Sequence, residues 1–212
     1  MNVRMITVSR QIGTNGERIA RRVAEELGFR YLDEEVIQRA AQAAGVPLEA
    51  MISAEHAPSF KRRMVDVLTG SRAMTSLAWY DPTPLMSNPL YTSEHYRALI
   101  CEVLRALAKE GEAVVLGHAA QITLKDRWDT LKVLISGSRP LRVLRVQEMA
   151  LASDEAAALR LIASSDSERT AFFERFHNIT WLSAVNYDLC LNTDHIGVPQ
   201  AVGLICEAAR RR

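Results

Sequence analysis

The sequence lacks any long hydrophobic run and any strong excess of charge of one sign. No apolar stretch approaches the roughly 18 residues that a membrane-spanning helix needs. The opening segment before residue 9 contains Arg4 and is too short for a secretion signal. The net charge is only +1 over 212 residues, so we expect no nucleic-acid and no membrane partner.

Cysteine is also scarce. Cys101, Cys190 and Cys206 are far apart, lie in apolar segments and form no C-x-x-C pair. This pattern is typical of reduced, buried thiols and predicts a cytoplasmic protein. The histidines show no spacing typical of metal ligands, so we expect no structural metal.

The most informative absence is that of a lysine in a glycine-containing loop. Residues 9–22, SRQIGTNGERIARR, directly follow the apolar run MITV, so a predicted strand enters a short loop and then a helix. Phosphate-binding loops of nucleotide kinases carry a lysine after the last glycine, whereas here Glu17 follows Gly16. Backbone amides and a helix N-terminus bind anions without a lysine. The loop is therefore either an anion site or only a turn between a strand and a helix.

The charges around this loop set a condition on the anion site. A carboxylate about 4 Å from a phosphate oxygen is repelled by roughly 4 kcal/mol at an effective dielectric constant near 20. We therefore expect Glu17 to point away from any bound phosphate. Arg21 lies one helical turn further on and is the expected partner of Glu17, while Arg18 is expected to reach a phosphate itself.

The apolar periodicity predicts an α/β protein. Strands are predicted at 5–8, 29–32, 113–116, 131–135 and 187–191. Helices are predicted at 16–27, 33–44, 58–69, 93–109, from 138, and at 154–164, 166–177 and 199–210. Such alternation indicates a mainly parallel sheet with helices on both faces, and ligands bind at the carboxyl ends of its strands. The segments 9–16, 117–118 and 136–139 all follow strand ends and are expected to line one crevice.

Residues 45–91 differ from the rest of the chain. They are rich in proline and methionine, and an irregular stretch is predicted at 78–91. A loop of this length is usually functional or disordered. Trp79 and Tyr80 lie within it, either to stack on a ligand or to form an exposed loop or a subunit contact.

Five segments together resemble the cytidylate-kinase-like family, a divergent branch of the P-loop nucleoside monophosphate kinases. They are VSRQIGTNGERIARRVAEELGFRYLDEEVIQRAA, VVLGHAAQI, SRPLRVLRV, SDSERTAFFERF and NYDLCLNTDHIG. The resemblance implies one kinase-like domain over 1–212, a three-layer fold with about five parallel strands, a base-binding insertion at 45–91 and a helical lid at 139–177.

The resemblance also implies a reaction, transfer of the ATP γ-phosphoryl group to a nucleoside monophosphate, with Mg²⁺ carried by the nucleotide. The implied nucleotide-binding residues are Arg10, Gly13, Thr14, Asn15, Gly16, Glu17 and Arg18. The implied catalytic residues are Arg18, Arg142, Arg145, Asp166 and Arg169. The implied acceptor-binding residues are Asp33, Arg39 and His118.

Other interpretations of these residues stay open. Asp33 also suits the N-cap of a helix, His118 also suits a structural role after a strand, and the lid arginines also suit salt bridges on a solvated helix face. The chain is accordingly interpreted as a kinase, as a non-catalytic nucleotide or phosphate sensor, or as a structural oligomer. A kinase for a phosphorylated or other small molecule is a further alternative, and a homo-oligomer is compatible with each.

Overall fold

The computed structural model describes residues 3–45 and 93–212, and a parallel sheet forms its centre. Its strands are β1 (Met5–Arg10), β2 (Arg30–Leu32), β3 (Ala113–Leu116), β4 (Thr130–Ser136) and β5 (Leu189–Asn192). They lie in the order β2-β3-β1-β4-β5, and every neighbouring pair is parallel. Because β1 is the central strand, its carboxyl end lies between the carboxyl ends of β3 and β4.

Helices connect the strands and cover the sheet. They are α1 (Gly16–Leu27), α2 (Glu34–Ala44), α3 (Ser93–Glu110), α4 (Ala120–Thr123), α5 (Arg139–Glu148), α6 (Glu155–His177), a 3₁₀ helix (Ala184–Asn186) and α7 (Val198–Arg211). The predicted end of α1 is confirmed, since Gly28 has a φ of 70° and its N–H bonds back to the last turn. This agrees with the predicted α/β class, a parallel sheet with surrounding helices.

One helix was predicted wrongly as two. Residues 154–164 and 166–177 were expected to be separate helices, but α6 is continuous from Glu155 to His177. Asp154 caps its start, since its carboxylate accepts a hydrogen bond from the amide of Ala157 at 2.7 Å. Asp166 also resembles a capping residue, but it lies inside the helix and its side chain binds residues far away in the sequence.

The sheet is buried on both faces. Ile6 and Val8 pack against α1 and α7, where Ile19 and Ile205 are fully buried. Met5 and Thr7 are also buried, and they face the opposite side because successive strand residues alternate. Each fully buried aliphatic side chain contributes about 1.5–3 kcal/mol. This packing fixes β1, and with it the position of the loop that follows.

The chain divides into two compact units. The first comprises Met1–Asp33 and Leu104–Arg212, and the second Glu34–Val103. The predicted insertion at 45–91, with its helix at 58–69 and with Trp79 and Tyr80, lies outside the described residues except for Gly45. The single domain over 1–212 and the lid at 139–177 stay predictions.

None of the helices within residues 3–45 and 93–212 has the length and hydropathy that crossing a bilayer requires.

Candidate functional site

The loop between β1 and α1 lies at the carboxyl end of the central strand. Gly13 has a φ of 78°, in the left-handed region that favours glycine. A Cβ atom at Gly13 would lie 2.7 Å from the carbonyl oxygen of Arg142, so this glycine also permits close packing of the loop against α5. Asn15 has a φ of 59° and turns the chain into α1. The loop conformation is therefore fixed by its own sequence and by α5.

Backbone amides at the start of α1 have no protein acceptor. Asn15 provides no side-chain cap, and the first bond of the helix runs from the Ile19 amide to the Asn15 carbonyl. In the described part of the chain, the amides of residues 13–18 donate no hydrogen bond to the protein. Unpaired amides and the positive end of the helix dipole together form a site suited to an anion. Thr14 is fully buried and its hydroxyl donates to the Gln11 carbonyl at 2.7 Å, so its side chain stabilises the turn.

Arg142 braces this loop from α5. Its side chain is 4% exposed, and both of its Nη atoms bind the carboxylate of Asp166 at 2.7 and 2.8 Å. Its Nε donates to the carbonyl oxygen of Ile12 at 2.7 Å. The guanidinium thus joins α5, α6 and the loop, and these contacts occupy all three of its nitrogen atoms.

Arg145 forms a second brace one turn further along α5. Its Nη2 donates to the Thr193 carbonyl at 2.6 Å, and its Nη1 donates to the Thr193 hydroxyl at 3.0 Å and to the Gly13 carbonyl at 3.5 Å. Thr193 follows β5 and is buried. The strand end at β5 is therefore linked to the loop, and no pattern in the sequence indicates this role of Thr193.

Gln11 is a second residue that sequence reasoning missed. Its side chain is buried, its Nε2 donates to Asp166 at 3.2 Å, and its Oε1 accepts from the Gly137 amide at 3.5 Å. It therefore connects the loop to the end of β4 and to α6. The available signal was a polar residue directly after a buried strand.

Glu17 does not pair with Arg21 as predicted. Its Oε1 accepts a hydrogen bond from the Nη2 of Arg10 at 3.1 Å. Arg21 instead lies over the ring of Tyr31, 4.3 Å from its centroid. The Glu17 side chain is 59% exposed, as expected for a carboxylate that avoids the anion site. Arg18 is exposed and makes no ion pair with any described residue.

Arg169 lies on α6 among charges of both signs. Burial and, after it, the charge of Arg10 lower the pKa of Arg169 to about 10, so it stays protonated at neutral pH. The charge of Arg142 also lowers this pKa, while Asp166 and Glu17 raise it. Its Nη1 donates to the hydroxyl of Ser165, and its guanidinium lies 5.7 Å from the ring centroid of Trp181.

Trp181 packs against β1 and α6 and supports the strand that carries the loop. Its indole Nε1 donates to the Ser9 hydroxyl on β1 at 2.9 Å, and its ring stacks on Phe173. Tyr187 donates to the Trp181 carbonyl at 2.9 Å. The bond between Trp181 and Ser9 joins residues 172 positions apart, which no local pattern in the sequence indicates.

Asp33 and His118 meet at the ends of β2 and β3. The Nε2 of His118 lies 3.1 Å from the Asp33 carbonyl oxygen and 3.6 Å from its Oδ1. Burial on its own would raise the pKa of Asp33, but the hydrogen bond from His118 and the charge of Arg10 outweigh it and lower that pKa. Burial and the neighbouring Asp33 raise the pKa of Tyr31 to about 12.

The backbone after β3 is unusual. Gly117, His118 and Ala119 have φ values of 79°, 55° and 50°. Left-handed backbone at non-glycine residues costs free energy and is concentrated at functional sites. The structure brings Asp33 and His118 together. Their role toward an acceptor stays a prediction.

The remaining predicted residue, Arg39, lies on α2 in the second unit. Its Nη2 pairs with Glu35 at 2.7 Å. Its predicted role as an acceptor ligand stays a prediction. Within residues 3–45 and 93–212, no cluster of three or more His, Cys, Asp or Glu residues is arranged to hold a metal ion.

Comparisons with known proteins agree on the kind of fold. A model of the family described as "Cytidylate kinase-like family" matches residues 5–195. The chain is similar to the crystal structure of an uncharacterized protein from Eubacterium ventriosum, with 17% identity, 97% of each chain covered and a TM-score of 0.67. It is also similar to a shikimate kinase from Bacteroides thetaiotaomicron, with 9% identity, 96% of this chain and 97% of that chain covered, and a TM-score of 0.50. No curated protein sequence matches it significantly. At these identities the two structures show the fold alone.

Proposed function

The chain belongs to the cytidylate kinase-like family, and from this premise we propose that it is a phosphotransferase. It would transfer the γ-phosphoryl group of ATP to a nucleoside monophosphate or a similar small acceptor. The family and the P-loop kinase type of fold support a phosphotransferase-like role in general. The donor, the acceptor and the residue roles below are our proposal, as is a cytoplasmic location.

The single observation that supports this proposal best is the row of unpaired amides at residues 13–18. A triphosphate matches this donor set, since its oxygens accept hydrogen bonds and its negative charge suits the helix N-terminus. Arg18 and Arg169 carry positive charge near these amides and would bind phosphate oxygens. Mg²⁺ would arrive with the nucleotide and neutralise part of its charge.

Three predicted catalytic residues have contacts that support a positioning role. Arg142 and Asp166 bind each other and hold the loop through Ile12 and Gln11. They would act by keeping the amides directed at the phosphates, and Arg145 would act in the same way through Gly13. Phosphoryl transfer depends mainly on such positioning and on charge stabilisation, so no general base is required.

The acceptor would bind near the ends of β2 and β3. Asp33 is ionised at neutral pH, because its pKa is lowered, and its side chain is partly exposed. An ionised carboxylate accepts hydrogen bonds from sugar hydroxyls or from an amino group of a base. His118 fixes the position of Asp33. Binding of an acceptor phosphate by Arg39, in the second unit, stays a separate prediction.

The proposal is tested by a coupled assay with ATP, Mg²⁺ and a panel of nucleoside monophosphates that includes CMP and dCMP. We expect formation of ADP that depends on one acceptor. Phosphorylated and hydroxylated small molecules form a second panel. ATP binding without product in either panel, at high protein concentration, would contradict phosphotransfer.

A second candidate function is a non-catalytic sensor of nucleotide or phosphate. Glu17 at the usual position of the lysine favours it, because the lysine neutralises charge on the β- and γ-oxygens during transfer. The assay above separates the two functions, since a sensor binds ATP in calorimetry but forms no product.

A further inference from the structure

The side chain of Arg10 lies in a position that the sequence does not indicate. It is the last residue of β1, and its side chain crosses directly over the start of α1. A Cβ atom added at Gly16 would lie 2.4 Å from the Cβ of Arg10 and 2.7 Å from its Cγ. Any larger residue at position 16 would therefore displace the Arg10 side chain.

The guanidinium of Arg10 lies between the end of β3 and the first turn of α1. A Cβ atom added at Gly117, after β3, would lie 3.1 Å from its Nη1. On the other side, its Nη2 binds Glu17 at 3.1 Å. Two glycines thus leave room for this side chain, and one carboxylate fixes the position of its charged end.

Arg10 keeps donors that no protein group uses. Its side chain is 19% exposed, yet its Nε and Nη1 meet no acceptor within the described ranges. A largely buried cation with unused N–H groups is costly unless an anion binds it. Arg169 is also positively charged and lies close enough that the charge of Arg10 lowers its pKa. Both facts indicate that an anion belongs beside this guanidinium.

We propose that Arg10 replaces the missing lysine as the cation that binds the phosphate groups on the loop, and that Glu17 holds its guanidinium in position. This inference depends on the proposed function for the identity of the ligand. A guanidinium has several N–H donors in a fixed plane, so one nitrogen can bind Glu17 while the others bind phosphate oxygens. Glu17 would then hold the Arg10 guanidinium in position. The positive charge that a lysine at position 17 would provide would come from Arg10 instead.

The test measures binding of ATP with Mg²⁺ and, separately, of inorganic tripolyphosphate by calorimetry. Arg10→Met removes the charge and keeps an unbranched side chain over Gly16. Arg10→Met/Glu17→Lys then places a cation at the conventional position. Arg22→Met, on the exposed side of the same helix, is the matched control. Arg10→Gln is the second charge-free variant if Arg10→Met does not give a folded protein.

We expect Arg10→Met to weaken binding about 10- to 100-fold, as loss of a hydrogen bond to a charged group implies. The double variant should recover most of this loss, and Arg22→Met should bind like the wild type. Unchanged binding by Arg10→Met, or no recovery in the double variant, overturns the inference and leaves the proposed function standing. If the wild-type protein binds tripolyphosphate but no nucleotide, the proposed function is overturned. The inference about Arg10 is then still tested, because the variants can be compared by their binding of tripolyphosphate. Binding of neither ligand overturns both.

Discussion

The two sides of the loop use their arginines differently. On the α5 side, Arg142 and Arg145 bind backbone carbonyls, Asp166 and Thr193, and their guanidinium groups are occupied by the protein. On the α1 side, Arg10 has unused donors and Arg18 makes no ion pair with any described residue. The first group fixes the loop, and in our proposal the second provides charge for a ligand.

This difference shows that a cluster of arginines near a loop is not by itself a measure of its anion-binding capacity. Occupied arginines stabilise the fold, and available arginines make the empty site less stable through repulsion between like charges. The comparison therefore predicts opposite effects on stability and on binding for arginines that lie close together.

The largest effect is expected at Arg142. Arg142→Met removes the charged partner of Asp166 and the side-chain donor to the Ile12 carbonyl, which leaves the half-buried carboxylate with only the bond from Gln11. We expect the free energy of unfolding to fall by about 3 kcal/mol, as for other broken buried ion pairs. Urea unfolding measures it. Arg139→Met, at an exposed position of the same helix, is the control and should change stability by less than about 0.5 kcal/mol. Equal stability of the two variants would remove the distinction between occupied and available arginines.

A smaller effect is expected at Gly13, where the loop contacts α5. Gly13→Ala places a Cβ atom 2.7 Å from the Arg142 carbonyl oxygen in a left-handed backbone. We expect a loss of about 2 kcal/mol, measured by thermal unfolding. The matched control is Gly203→Ala in α7, where an added Cβ meets nothing within 4 Å. Helix propensity predicts that this control gains about 0.5–1 kcal/mol. A Gly13→Ala variant as stable as the wild type would show that the loop is not clamped.

The smallest effect on stability is expected at Arg169. Arg169→Met removes a cation that Arg10 repels, and it loses a bond to Ser165 and a contact with Trp181. These terms oppose each other, so we expect stability to change by less than about 1 kcal/mol. Affinity for tripolyphosphate should fall about 10-fold. Calorimetry measures it, with Arg175→Met on the same helix as control. A loss of stability as large as that of Arg142→Met would place Arg169 among the occupied arginines.

Much of the fold was predictable because apolar patterning is local. The run MITV gave β1, and Gly28 marked the end of α1. The last two residues of β1, Ser9 and Arg10, were missed because polar residues carry no strand signal, although they pair with β4. Asp166 was misinterpreted as a helix start because its true partners, Arg142 and Gln11, are contacts between distant parts of the chain.

The position of the candidate site was also predictable, but the pairing of its side chains was not. Glycines after a strand indicated the loop, and the absence of a lysine was visible in the sequence. The choice of Arg10 over Arg21 as partner of Glu17 depends on where the end of β1 meets α1 and on the competing ring of Tyr31. Such choices are made by tertiary packing, which sequence spacing alone does not specify.

The absence of an amine at the loop has a practical consequence. Residues 9–18 contain arginine and glutamate but no lysine. Acylating nucleotide reagents that label kinases through a loop amine should therefore leave this segment unmodified.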